Sequence, residues 1–331
     1  MSPVAVLVNL NARRGSPRVG HLVREVLPRA EVAVTSSLDD ARRFLQDQVS
    51  ARPPSLILSG GGDGTAVAIW NELRAMNADI PPLGLLRLGT GNGLANVTGA
   101  PRARTALERI AALRGVVPPV RGFRLLESEG RIAPFAGTGW DAQIVADFKA
   151  WQATLPPGMQ GMNAGLRGYL NALFLRTIPR QLFGDGPAHV RAVNLGDDAF
   201  TLDDQERVVP IPGARKGTVL YEGLASVASG ATTTEWGFGF RAFPHAHRVP
   251  DRLSVRVYGA KVLEATSKMF KLWRGERVPK MHDFFTTGIR FELDREVPFQ
   301  IGGDVIGPRR VIELRLSEQR VGLVDWDRLP S

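Results

Sequence analysis

Residues 55–65, Ser-Leu-Ile-Leu-Ser-Gly-Gly-Gly-Asp-Gly-Thr, decide the fold of this 331-residue chain. A short apolar strand runs into four glycines and one acid, and a helical pattern with Val67, Ile69, Trp70 and Leu73 follows. Glycine lets the backbone turn through positive φ and lets an anion approach the amide N–H groups closely. The helix start adds a partial positive charge at the same point. A glycine-rich turn with no ligand is the plain alternative. A second loop of the same kind weakens it, because the strand at 83–88 (LGLLRL) ends in Gly89-Thr90-Gly91-Asn92-Gly93. In a parallel sheet both loops lie at the carboxyl ends of strands, where open α/β sheets bind ligands.

Outward from this centre, the first half alternates strands and helices. Strands are expected at 4–8 (VAVLV) and 31–35, and helices at 18–30, from about Ser37 to Val49, and at 103–114. That alternation means a parallel sheet covered by helices. It stops at Gly115-Val116-Val117-Pro118-Pro119, a plausible boundary. Beyond it a hairpin turning at Glu129-Gly130 is expected from 120–126 and 131–137, then helices at 141–151 and 163–176. Short β runs follow at 188–195, 199–202, 206–211, 217–228, 236–243, 252–258, 289–293, 297–301 and 310–316. The expected architecture is a Rossmann-like α/β nucleotide domain over 1–117 and a mainly antiparallel β-sandwich domain over 118–331, with a cleft between them. The last ~20 residues are expected to return to the first domain.

Composition narrows the function. Hydrophobic residues make up 44% of the chain, enough for buried cores. The net charge of +9 favours anionic partners, whether nucleic acid, nucleotide phosphates or an acidic membrane. Only six of the 42 basic residues are lysine. There is no cysteine, which removes disulfides, thiol nucleophiles and cysteine-bound metals. The start reads as a strand rather than a signal peptide, and no run of 18 apolar residues occurs. No GxxxxGK[ST] is present, so the loops are not of the Walker type.

GGGDGT followed by LGTGNGLAN resembles the diacylglycerol kinase catalytic-domain family, which includes sphingosine and ceramide kinases and shares GGDGT with NAD kinases. Further likeness lies in Val6-Leu7-Val8-Asn9, in Thr35, in FAGTGWDA at 135–142, and in the helix at 165–173. It continues in Gly237-Phe238-Gly239, in Pro250-Asp251-Arg252-Leu253 and in QIGGD at 300–304. The resemblance implies an ATP- and Mg²⁺-dependent lipid kinase. ATP phosphates would lie on Gly61, Gly62, Gly64 and Thr65 and on Gly89, Thr90, Gly91 and Asn92, with Asn9 and Thr35 lining the nucleotide side. Asp63 would order water around Mg²⁺, with Asp141 in the same carboxylate network. Asp251 matches a structural metal position, and Asp304 stands where the family has its general base.

The sequence departs from that pattern at the last motif, where D-G-E has become Gly302-Gly303-Asp304. Asp is one methylene shorter than Glu, a displacement of about 1 Å at the carboxylate. The N-E-x-x-x-D run of NAD kinases is replaced by GNGLANVTG. A catalytically weak nucleotide- or lipid-binding sensor is the alternative function. The expected partners are a membrane lipid and, transiently, an anionic membrane surface at the inner face of a cytoplasmic membrane. Nucleic acid is not expected, and a homodimer is left open. Two basic amphipathic stretches, 166–183 and 261–274, bear on that surface, although a core-packing helix with a basic edge explains either one alone.

Overall fold

The computed structural model describes residues 4–51, 53–156, 165–184 and 186–329. They form two compact units, the first holding Met1–Phe123, Gly237–Gly239 and Gln319–Ser331, and the second Arg124–Trp236 and Phe240–Glu318. Among the described residues no helix is long and apolar enough to cross a membrane.

In the first unit β1 (Val4–Asn9) pairs in parallel with β2 (Glu31–Thr35) on one side and β3 (Leu56–Gly60) on the other. The strand β4 (Leu83–Leu85) lies beside β3, and Leu323 near the chain's end pairs with Leu83 in the same direction. Every residue of β3 is buried, as a central parallel strand covered on both faces must be. The helices are α1 (Pro17–Val26), α2 (Leu38–Ala51), α3 (Asp63–Ala75), α4 (Gly93–Val97) and α5 (Ala103–Ala112). The first stops at Val26 rather than reaching residue 30, because Pro28 biases Leu27 away from helical backbone. Strand β4 ends early too, yet the Leu86 and Leu88 amides go on donating to Ser59 and Gly61 carbonyls, both at about 3.0 Å. Core positions such as Trp70, Leu58 and Leu7 are fully buried between sheet and helices.

The second unit is mostly antiparallel. Strands β5 (Val120–Ser128) and β6 (Arg131–Ala133) form the expected hairpin, with Glu129 and Gly130 both at positive φ, the backbone of a type I′ turn. Next come β7 (Phe135–Gly139), α6 (Trp140–Thr154) and α7 (Leu166–Ala172), then a π turn (Leu173–Thr177) and α8 (Ile178–Phe183). Residues 163 and 164 of the expected helix lie outside the described residues. Pro179 has no N–H to donate and its ring crowds the preceding turn, which the chain absorbs as the π turn.

The remaining strands are β8 (Ala188–Asn194), β9 (Phe200–Leu202), β10 (Val208–Pro210), β11 (Val219–Ala225), β12 (Val227–Ala231), β13 (Leu253–Tyr258), β14 (Met281–Thr286), β15 (Gly288–Ile301) and β16 (Asp304–Val324). The ladder runs β10-β9-β14-β13-β12-β7-β15. A register shift between Glu292 and Val297 splits β15, so its first half pairs with β8 and its last residues with β7.

Three expectations are corrected here. Residues 236–243 do not form a strand, since Gly237, Phe238 and Gly239 all have positive φ and turn the chain. The helix expected over 261–274 is two short ones, α9 (Val262–Ser267) and α10 (Met269–Arg274). Thr266 and Ser267 hydroxyls donate to the Val262 and Glu264 carbonyls, and Lys268 leaves helical backbone. Strand β14 was absent from the sequence reading.

Strand β14 carries a polar pair into the core. Arg256 on β13 and Asp283 on β14 are register partners, both buried, joined by Nε–Oδ1 and Nη2–Oδ2 bonds of 2.7 and 3.1 Å. Arg256 also donates to the Ala242 carbonyl at 2.6 Å. Asp283→Ala leaves a buried guanidinium without its counter-charge, so stability is expected to fall by about 3–5 kcal/mol. Urea unfolding measures this, and a loss under about 1 kcal/mol would contradict the assignment.

Candidate functional site

The two glycine loops of the first unit are in direct contact. An alanine Cβ at position 89 would lie 2.2 Å from the Gly62 Cα, far inside any tolerated approach. The Leu88 amide donates to the Gly61 carbonyl at 3.1 Å. Asp63, in the first turn of α3, then reaches across. Its Oδ2 accepts the Gly93 N–H at 2.8 Å and its Oδ1 the Leu94 N–H at 3.0 Å. The acid therefore satisfies two amides at the start of α4 that the helix itself cannot. Asn92 sits in left-handed backbone, and its amide group donates to the Gly89 carbonyl at 3.0 Å. The Gly237-Phe238-Gly239 turn closes on the same place, with the Phe238 N–H on the Gly91 carbonyl at 3.0 Å. Thr90 is half-buried beside it.

Asn9, Thr35, Gly64 and Thr65 come together around a cavity of about 150 Å³ over the ends of β1 and β2 and the start of α3. The Asn9 side chain donates to the Thr65 hydroxyl at 3.0 Å. Gly64 is exposed, and a Cβ there would meet nothing, so the first turn of α3 is open to a ligand. Gly62 caps α3 and no side chain does, which leaves its first amides for an anion. Sequence reasoning missed Asn11, Ser37 and Glu72 on the same wall. Asn11 repeats the Asn9 side-chain type two residues on, and its amide group donates to the Ser36 carbonyl at 2.7 Å.

In the second unit Asp141 opens α6 and is 7% exposed. Its Oδ2 accepts from the Ser229 hydroxyl and from Gln300 Nε2, both at 3.0 Å, while Oδ1 is buried with no hydrogen-bond partner. Burial pushes this carboxyl up to about 6, against the opposing hydrogen bonds from Gln300 and Ser229. Gln300 passes the link on, its Oε1 accepting the Gly303 N–H at 2.8 Å. Gly302 and Gly303 both have positive φ and form the two-residue turn between β15 and β16, with Ile301 opposite Asp304. Asp304 is exposed. Lys149 Nζ lies 3.1 Å from its Oδ1 and Arg131 Nη2 3.6 Å from its Oδ2. Burial, then the Asp304 charge, raises the Tyr169 hydroxyl.

Asp251 has left-handed backbone and its carboxylate pairs with Arg124 at 3.3 Å. Among the described residues no three His, Cys, Asp or Glu side chains gather as a metal site. Arg124 thus supplies a positive charge beside Asp251, the position where the resemblance implies a structural metal. Asp63 has the chemistry to face a cation, since a carboxylate oxygen can accept more than one partner.

This fold is shared with solved structures across almost the whole chain. A diacylglycerol kinase from Bacillus anthracis superposes with a TM-score of 0.62 at 16% identity, covering 98% of this chain and 96% of that one. An NAD kinase from Archaeoglobus fulgidus, solved with ATP, gives 0.54 at 13% identity, covering 98% and 95%. At these identities the likeness establishes the fold class, a mixed α/β protein with a large, mostly antiparallel sheet. Residues 3–120 match the family model for the diacylglycerol kinase catalytic domain. The protein named Probable lipid kinase YegS from Shigella flexneri is 37% identical over 83 residues, 25% of this chain and 27% of that protein. Probable lipid kinase YegS-like from Yersinia pestis is 31% identical over 103 residues, 30% and 34% of the two chains. The match thus spans about a quarter to a third of the length of these relatives.

The raised Asp141 carboxyl gives stability a definite pH dependence. Between its ordinary value near 3.8 and about 6 the folded state holds a proton that the unfolded chain releases. Its contribution is therefore fully present below pH 3.8 and is lost as pH rises through 6. Wild type minus Asp141→Asn is expected to lose about 2 kcal/mol of unfolding free energy between pH 4 and 7. A difference flat across that window would refute the buried-carboxyl assignment.

Proposed function

We propose that this protein transfers the γ-phosphate of ATP to a hydroxyl of a membrane lipid, with diacylglycerol, ceramide or a sphingoid base as the acceptor class. The observation that carries this reading is the pair of touching glycine loops tied by Asp63 beneath the open start of α3. Phosphoryl transfer depends on positioning and charge neutralisation, which backbone amides at a helix N-terminus supply. ATP phosphates would lie on Gly61, Gly62, Gly64 and Thr65 and on Gly89, Thr90, Gly91 and Asn92. The wall of Asn9 and Thr35 takes the nucleoside side. Mg²⁺ would be held near Asp63 through water and would neutralise phosphate charge.

In the reaction the lipid oxygen bonds to the γ-phosphorus as the bond to the β–γ bridging oxygen breaks and ADP leaves. The hydroxyl proton passes to a carboxylate, a role we give to Asp304. Lys149 and Arg131 steady that side chain, and Asp141 acts behind it through Gln300 and the Gly303 turn. The same ion pairs favour a second reading, a nucleotide- and lipid-binding sensor without turnover, because they occupy both oxygens of Asp304. The setting we propose is the cytoplasmic face of a membrane.

Labelled ATP and Mg²⁺ offered with micellar diacylglycerol, ceramide and sphingoid bases test the proposal. Phosphorylated lipid is expected from at least one class. Its absence from every class, with nucleotide binding intact, would leave the sensor reading in possession. Asp63→Asn is expected to cut turnover at least ~100-fold while far-ultraviolet circular dichroism stays unchanged. Near-normal turnover in that variant would remove Asp63 from the site.

A further inference from the structure

The second unit exposes large apolar side chains on neighbouring helices. Phe183 is 89% exposed, Phe270 85%, Leu175 69% and Leu263 66%, with Phe174 and Leu182 also exposed. These residues belong to the π turn, α8, α9 and α10, and the helices form one layer. Ile178, Met269 and Leu272 pack on a single buried cluster with Val262, Ala265 and Tyr258, and α8 touches α9. Leu173, Thr177, Val262 and Ala265 point inward, which leaves the apolar residues beside them facing solvent.

The layer is rigidly held. Buried Asp147 on α6 accepts from the Thr177 hydroxyl at 2.8 Å and pairs with Arg180 at 3.2 Å. The exposed side chains are thus presented by an anchored surface and not by a fraying end.

Charge identifies the occupant. Residues 166–183 carry Arg167 and Arg176 and no acid, besides Arg180, which Asp147 holds. Residues 261–274 carry Lys261, Lys268 and Lys271, with Arg274 paired to Glu276 at 2.6 Å, and their one acid, Glu264, is already paired with Lys280 at 2.6 Å. A second copy of this chain would bring these cations against themselves. An acidic lipid surface meets both features, taking aromatic and aliphatic side chains into its interface and phosphate near the cations.

We infer that the layer of the π turn, α8, α9 and α10 docks on an anionic lipid bilayer, with Phe183, Phe270, Leu175 and Leu263 entering the interface. The choice of a bilayer rests on the lipid-kinase reading, but docking needs no turnover and is measured without it.

Flotation with phosphatidylcholine vesicles, with and without phosphatidylglycerol, is the experiment. Wild type is expected to float with the phosphatidylglycerol vesicles and to release at high salt. Phe183→Ser/Phe270→Ser is expected to lose about tenfold or more in partitioning. Lys268→Glu/Lys271→Glu is expected to lose the preference for anionic vesicles. Neither variant touches the proposed catalytic residues, so turnover on a short-chain, water-soluble diacylglycerol is expected to stay unchanged. Equal flotation of wild type and Phe183→Ser/Phe270→Ser would overturn the inference. A dimer in lipid-free solution that this double variant separates would overturn it as well, by assigning the face to self-association. Vesicle binding intact with no turnover on any lipid would instead count against the kinase reading alone.

Discussion

The two hydrogen bonds that Asp63 accepts from the Gly93 and Leu94 amides set the geometry on which the two glycine loops depend. They are charge-assisted, with an anionic acceptor, and so belong to the stronger class. One short side chain spans from the first turn of α3 to the first turn of α4, which forces the loops before both helices into contact. Glycine at 62 and 89 then follows from the spacing, since a Cβ at 89 would sit 2.2 Å from the opposite backbone. The same contact aligns the ends of β3 and β4, whose ladder continues past the strands through Leu86 and Leu88. Asp63 is thus a structural keystone as well as the residue proposed to face Mg²⁺. Asparagine preserves its size but replaces one accepting oxygen with a donor facing an amide.

The first unit could be read closely from sequence because parallel strands are buried on both faces. VAVLV and the LIL of SLILS are continuous apolar runs that lead into asparagine or glycine. The second unit was harder for a physical reason. Its strands are antiparallel, so polar residues enter them wherever a partner strand supplies a counter-charge. Asp283 interrupts the apolar pattern of β14 because Arg256 lies opposite, and that strand was missed. A bulge after Glu292 made one strand look like two. The Gly237-Phe238-Gly239 run looked β-like, but its aromatic and small residues serve a left-handed turn. Among the candidate residues, sequence named Asp63, Asp141 and Asp304 but not what holds each of them. Gln300 offered no signal beyond lying in the quoted QIGGD, and its part as the link between Asp141 and Gly303 is visible only in three dimensions.

The Gly302-Gly303 departure from D-G-E also gains a reason. Both residues adopt positive φ in a two-residue turn, where glycine is the least strained choice. Both amides are committed, Gly302 to the Phe135 carbonyl and Gly303 to Gln300. The backbone under Asp304 is therefore fixed, and the missing methylene cannot be recovered by a shift of the loop. Any compensation must come from the side chain's own rotamer, which Lys149 and Arg131 already restrain.

The net charge of +9 divides into two populations with different chemistry. A few arginines make planar, two-pronged pairs: Arg121 with Asp325, Arg252 with Asp198, Arg256 with Asp283 and Arg309 with Glu129. That fork geometry is what a guanidinium does better than an ammonium. Three of the six lysines instead lie between residues 261 and 271, beside the exposed Leu263 and Phe270. Lysine is a mobile point charge on a long apolar stem, suited to a diffuse field of lipid phosphates and poorly suited to a fixed fork. These arginine forks tie distant segments together, while the lysines beside Leu263 and Phe270, with Arg167 and Arg176, carry the charge that the proposed anionic surface would meet.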